Sequence, residues 1–344
     1  MVTINKKNIN QNTPPEIVSL MNVVDTYKRW ENYQSQGDRK YNYYHPSELG
    51  KCLRLQQYKH YAYLGLIKVE YADFNSQMLR LFEKGHKMHE RWVNYFDNIG
   101  ILRGRWKCKN KLCYLFKDDG STINNYDNQN IHDMINSNKS RIYGEENKFG
   151  VFKPEKCICG CKSFKYKENV VKSDELNIKG NSDVTLDFSQ FNAEKFQGVR
   201  KTFNIDFLPT NGEMVVGDMK TIGQSGWDYQ LMKKGAHKYY LIQMTTYVHL
   251  SDYSYGVLMY ENKNTSELKW YKVNRNNEWW DAIQYQTIAM KEMAKDKRLP
   301  PPRPLEKSSY DCKNCEFASL CHKSGIWKDP DLNQKRKSFY KCLL

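Results

Sequence analysis

The feature that most constrains this chain is the placement of its ten cysteines. Eight of them fall into three tight groups. Cys108 and Cys113 form the first, Cys157, Cys159 and Cys161 the second, and Cys312, Cys315 and Cys321 the third, while Cys52 and Cys342 stand apart. Such clustering is the pattern of metal sites, because one centre needs several thiolates converging on it. A disulfide framework would instead need an oxidising compartment. The N-terminal stretch MVTINKKNINQNTPPEIV lacks the apolar core of a secretory signal. The expected location is therefore the cytoplasm, or the host cytoplasm if the chain is viral.

The groups differ in what they could build. WKCKNKLC and EKCICGCKSF look like the two knuckles of a zinc ribbon. Cys108 and Cys113 with two of Cys157, Cys159 and Cys161 would complete a tetrahedral thiolate site for a structural Zn²⁺. The first knuckle is Cys-x4-Cys and the second offers three thiols for two places, so which one is spare stays open. DCKNCEFASLC supplies Cys312, Cys315 and Cys321, one ligand short of a closed site. Cys52 can be the fourth, and joining it to the C-terminal group would close a very long loop. Cys342, in the basic tail, reads as a free thiol.

At 344 residues, 40% hydrophobic and 27% charged, the chain suits a soluble globular protein with a sizeable core. No apolar run approaches the ~20 residues of a membrane helix. The formal net charge of +15 favours a polyanionic partner, nucleic acid first. The abundance of Asn, Lys, Ile and Tyr suggests an AT-rich genome. Apolar spacing predicts a helix from TPPEIVSLMNVV, with Thr13 as cap, Pro14 in its first turn and Glu16 closing a capping box. A second is expected in HPSELGKCLRLQQYKHYAYLGL with Ser47 as cap, and a third from Ser76. FKYKENVV, ELNIKGNSDVTLDFS, RKTFNIDFLP and EMVVGDMKTIG read as successive strands. KKGAHKYYLIQMTTYVHLS is helical, YSYGVLMYENKN and ELKWYKV form a hairpin, and NNEWWDAIQYQTIAMKEMAKD is a long amphipathic helix. The sum is α/β, in the α+β sense of a mixed sheet flanked by helices. Residues 1–45 form a helical extension, 46–325 the main domain with an inserted module at 103–165, and 326–344 a basic tail.

One strand carries a chemical oddity. In MVVGDMKTIG the apolar lead ends in Asp218 and Lys220, which share a face of a strand. Buried, they would be costly unless paired; at a solvent-exposed strand end they would be an incidental ion pair. NIKGNSD places Gly180 three residues before Asp183 on an earlier strand. Two carboxylates converging at sheet ends can hold Mg²⁺, and a lysine beside them can orient water and neutralise charge on phosphate.

These runs resemble the PD-(D/E)XK nuclease superfamily in its RecB-like branch. That branch's elements appear in order: Gly85-His86-Lys87-Met88-His89, Gly180-Asn181-Ser182-Asp183, Asp218-Met219-Lys220 and Gln243-Met244-Thr245-Thr246-Tyr247. Glu168 also sits where the family often has an acidic residue. The resemblance implies a restriction-endonuclease-like core over roughly residues 45 to 325. It implies Mg²⁺ or Mn²⁺ on Asp183 and Asp218 with help from His89, and Lys220 positioning the attacking water. Gln243 and Tyr247, four apart on one helix face, would hold the lysine region or bind a nucleotide. His86 is the fallback for His89. Asp206, in FNIDFLP, is the alternative first carboxylate, although it lacks the preceding glycine.

HPSELGKCLRLQQYKHYAYLG further resembles the segment carrying the lone first cysteine in AddB-type and CRISPR-associated RecB-like exonucleases. There one N-terminal and three C-terminal cysteines hold a [4Fe–4S] cluster, which would here use Cys52, Cys312, Cys315 and Cys321; Zn²⁺ on the same thiolates is the alternative. The implied activity is a metal-dependent DNA exonuclease acting on single strands in replication, recombination or repair, with a helicase or recombination protein as partner and a bacteriophage as source. Interleaved basic and aromatic residues, as in HKYYLIQ, suit a single strand. The rivals are a structure-selective endonuclease on the same core, and a DNA-binding or assembly factor whose metals are structural. Oligomeric state is not readable.

Overall fold

The computed structural model describes residues 15–35, 41–68, 74–116, 120, 140–189, 213–296, 309–313 and 315–323. Thr13, Pro14, the expected strand RKTFNIDFLP with Asp206, the basic tail and Cys342 lie outside them. Four helices lead: α1 (Pro15–Gln34), α2 (Pro46–Leu49), α3 (Leu53–Tyr63) and α4 (Ser76–Ile99). The single helix expected from Ser47 is two. His45 is the extended residue before α2, Ser47 lies inside it, and the chain breaks at Gly50 before Cys52 starts α3. Glycine is required at the break: a Cβ on Gly50 would lie 2.5 Å from the Tyr239 Cα. α4 is capped by Asn75, whose side chain accepts from the Met78 N–H at 2.9 Å, and stopped by Gly100 in the left-handed region.

Strands follow: β1 (Leu102–Arg103), β2 (Arg105–Cys108), β3 (Ile142–Tyr143), β4 (Phe164–Lys167), β5 (Asn169–Ser173), β6 (Ile178–Ser182), β7 (Val184–Asp187) and β8 (Met214–Ile222). After a few helical turns between Gln224 and Lys234 come helix α5 (Lys238–Ser251), β9 (Tyr255–Asn262), β10 (Leu268–Asn274), α6 (Asn277–Lys295), α7 (Tyr310–Lys313) and α8 (Ala318–Lys323). β8 is the centre. Val215 and Val216 are wholly buried and Asp218 and Met219 nearly so, as in a strand covered on both faces. β7 pairs with it antiparallel, Val184 opposite Gly217, and β9 pairs with it parallel, Asp218 opposite Leu258. A parallel neighbour needs a crossover, and α5 supplies it. The five-stranded mixed sheet runs β1-β7-β8-β9-β10.

Two smaller sheets complete the strands: β3-β2-β4, and the hairpin β5-β6. Here two expected strands each divide. FKYKENVV splits into β4 and β5 at Glu168, and ELNIKGNSDVTLDFS into β6 and β7 at Asp183. At both points the chain steps from one sheet to another. The polar side chain that interrupts each apolar run is the one left at the junction. The core divides likewise. Met88, Phe96, Trp106, Val184, Val215 and Met219 pack between α4 and the central sheet, and Val216, Met244, Tyr247, Val248 and Leu258 pack beneath α5.

Candidate active site

β8, the β6–β7 junction, α4 and α5 converge at one end of the central sheet. Asp218 and Lys220, two apart on β8, share a face, and Lys220 Nζ lies 2.6 Å from Asp218 Oδ2. Oδ2 is buried, and the Lys220 ammonium is its close partner. The other oxygen, Oδ1, accepts from Gln243 Nε2 at 3.0 Å. The same Gln243 group donates to Tyr247 Oη at 3.1 Å, and Tyr247 donates in turn to the Asn181 carbonyl at 2.8 Å. Spacing of four along α5 thus sets up a relay from Asp218 to the strand just before Asp183. Gly180 explains that strand's approach: a Cβ there would lie 2.7 Å from Pro46 Cδ of α2.

Asp183 Oδ2 accepts from the Met219 N–H at 2.7 Å, which locks the junction onto β8. His89 of α4 faces the same oxygen, its Nδ1 3.7 Å away, while its Nε2 meets the Met219 carbonyl at 2.9 Å. A backbone carbonyl on one ring nitrogen fixes the orientation of the other. Glu168 is close enough that Asp218 raises its pKa, after burial and against the Asn181 hydrogen bond. His86, one turn before His89, is exposed and lines the cleft.

Burial governs the charges. It raises the pKa of Asp183, with the neighbouring His89 and Lys220 opposing. Asp218 is pushed up to about 6 by burial and by Asp183, against the pull of Lys220. Burial disfavours the Lys220 ammonium, but Asp218 and Asp183 outweigh it and raise its pKa. Asp183 and Asp218 crowd round one lysine, with Glu168 beside Asp218 and under the pull of Arg105 and Lys167, and together they form an oxygen-rich donor set. That is the chemistry of a hard divalent cation.

A cleft of about 660 Å³ opens beside the carboxylates and is lined by His89, Asn94, Lys109, Lys165, Lys167 and Asp183 among others. The lysines were missed in the sequence because each is an ordinary strand or loop residue until β2 and β4 pair. The alternation Lys165-x-Lys167 was the only signal.

The first cysteine group closes. The sulfurs of Cys108, Cys113, Cys157 and Cys159 all lie within 4.8 Å of one another, and these four can hold a metal ion. Cys108 and Cys159 sulfurs are 3.7 Å apart, Cys113 and Cys157 3.4 Å. A tetrahedron with ~2.3 Å metal–sulfur bonds has edges of about 3.8 Å. Cys161 is the spare, its sulfur turned to the Ser163 backbone. Burial opposes a Cys157 thiolate, but hydrogen bonds from Tyr143 and the neighbouring groups bring its pKa down to about 7. The second group also meets: Cys52, Cys312, Cys315 and Cys321 line one cavity with Leu55, Tyr58 and Ala318. Burial and the other three thiols push Cys52 up to about 12, so a bare thiolate is unfavourable there without a cation.

No known family matches the chain, and no curated protein does. Among solved structures, the crystal structure of SSO0001 is similar at 12% identity and a TM-score of 0.39, over 88% of this chain and 96% of that one. Among the described residues no helix is long and apolar enough to cross a membrane.

Proposed function

We propose that this chain is a RecB-like PD-(D/E)XK nuclease, a Mg²⁺- or Mn²⁺-dependent exonuclease on single-stranded DNA. The observation that carries the reading is the buried pair on β8, Lys220 Nζ 2.6 Å from Asp218 Oδ2, beside Asp183 held by the Met219 N–H. A merely structural ion pair has no need of a second buried carboxylate that raises its neighbour's pKa.

Asp183 and Asp218 would hold the divalent cation, which supplies Lewis-acid stabilisation of the phosphate's developing charge. Lys220 orients the attacking water and neutralises charge at the phosphorus oxygens. Gln243 and Tyr247 fix Asp218 and the Asn181 strand, and His89 keeps Asp183 in place. Cys108, Cys113, Cys157 and Cys159 fit a structural zinc ion in a ribbon. Cys52, Cys312, Cys315 and Cys321, gathered round one cavity but not within the 4.8 Å of the other set, fit a multi-iron [4Fe–4S] cluster.

The test uses protein purified without oxygen and single-stranded DNA labelled at either end, with Mg²⁺ or Mn²⁺ and with EDTA. Metal-dependent release of short products is expected, and Lys220→Ala should lower the rate by at least ~10²-fold with DNA binding retained. Internal nicks would mark an endonuclease. Tight binding without cleavage by metal-loaded protein would make the chain a binding factor instead.

A further inference from the structure

The inserted sheet carries an arrangement that stability alone does not favour. In β2 and β4, Arg105 stands directly opposite Lys167, and Lys107 opposite Lys165. Like charges directly opposite in an antiparallel pair destabilise it. Arg105 is accommodated, because its guanidinium donates to the Glu168 carbonyl at 2.9 and 2.7 Å and lies 3.7 Å from the Glu145 carboxylate. Lys167 is not: burial, then Lys165, Lys107 and Arg105, lower its pKa. Among the described residues Lys109, Lys165 and Lys167 make no ion pair with a carboxylate, and all three border the cleft that holds Asp183. The opposite wall, on α4, carries His86, His89, Asn94 and Glu90, the last paired with Lys87 at 2.8 Å and also drawn by Lys165.

We propose that the cysteine-bound sheet is the binding wall of the cleft, gripping the phosphates of a single strand next to the cleaved bond through Lys109, Lys165 and Lys167. This rests on the nuclease reading of the adjoining carboxylates. Acids at the floor and cations along one side match a polyanion whose reacting phosphate is bound through a metal and whose next phosphates are not. The strand pairing Lys107–Lys165 and Arg105–Lys167 keeps those cations at one fixed pitch, and phosphates between them remove the repulsion they otherwise impose. The cleft, at about 660 Å³, has room for a short run of one strand. The four thiols at the far end of β2 would then serve substrate binding as well as stability, since they hold Cys108, the next residue to Lys109, in place.

The experiment compares the full chain with Lys109→Ala/Lys165→Ala. Binding of a labelled oligothymidylate is followed against salt without divalent metal, and cleavage of the oligomer and of a thymidine dinucleotide is followed with Mn²⁺. The double variant should bind the oligomer at least tenfold more weakly at moderate salt. Its log–log salt slope should be shallower by about 1.4, two phosphates at ~0.7 each. Cleavage of the dinucleotide, which has no flanking phosphate, should fall less than cleavage of the oligomer, and the melting temperature should not fall, since removing Lys165 relieves its repulsion with Lys107. An unchanged salt slope in a folded variant overturns the proposal. So does a loss confined to duplex DNA. Should the wild type cleave neither substrate while the lysine-dependent slope persists, the wall stands and the nuclease reading fails. Cleavage that depends on Lys220 with a slope indifferent to these lysines keeps the nuclease and removes the wall.

Discussion

Asp218 is a carboxylate that the fold holds in an unfavourable place, and the consequence is measurable. Its ordinary pKa is 3.8, and burial with the neighbouring Asp183 raises it to about 6 in the folded chain. Between roughly pH 4 and 6 the folded state therefore keeps a proton that the unfolded state has released, so this group's contribution to stability falls as pH rises through that window. Asp218→Asn cannot ionise. In buffer without divalent cations, its urea midpoint relative to wild type should climb from pH 4 to 6 and level off above. A difference that does not vary with pH would show that Asp218 is not strained by its surroundings. Lys220 was visible in the sequence as a partner by its spacing alone. The carbonyl that orients His89 and the relay through Tyr247 to Asn181 were not, because both join residues far apart in the chain.

Among elements, α2 and α5 meet more closely than any side chain allows. Gly50→Ala would set a methyl 2.5 Å from the Tyr239 Cα, a backbone atom that cannot rotate away. The expected cost is about 1–3 kcal/mol in denaturant midpoints, whereas Gly223→Ala, whose methyl meets open space, should be nearly neutral. Equal effects would show that α2 yields freely. This contact also marks the limit of what local patterning conveyed. Helices α4 and α6 and the β9–β10 hairpin follow from apolar periodicity and turn residues, which are local. The glycine at the division of HPSELGKCLRLQQY is required by a helix almost two hundred residues later. The splits at Glu168 and Asp183 are likewise tertiary: the β propensity of FKYKENVV and NSDVTLDFS runs on, but the chain changes sheets there. Pairing of β2 with β4, and with it the lysine wall, was illegible for the same reason.

At the scale of the molecule, the two cysteine sets act over very different distances. One tightens a local module between β2 and β4; the other brings the start of α3 to α7 and α8. Removing a ligand from the second should matter globally. Cys52→Ser, prepared without oxygen, is expected to lose about 2–5 kcal/mol, the scale of losing a cross-link over a long loop, and, if the proposed cluster occupies that cavity, its iron and visible colour as well. Cys161→Ser, whose sulfur lies outside the four-thiol group, should keep both its metal content and its melting temperature. Retention of iron by Cys52→Ser would take that residue out of the site.

The meeting of Cys52 with Cys312, Cys315 and Cys321 has a mechanical reading as well. With a cluster in that cavity, tension entering the chain ahead of α3 and leaving beyond α8 would pass from sulfur to sulfur and never reach β8. The whole central sheet would be hidden length, slack behind a clasp. A helicase or protease hauling on the flank beyond α8 would have to break thiolate bonds before it could distort the carboxylates.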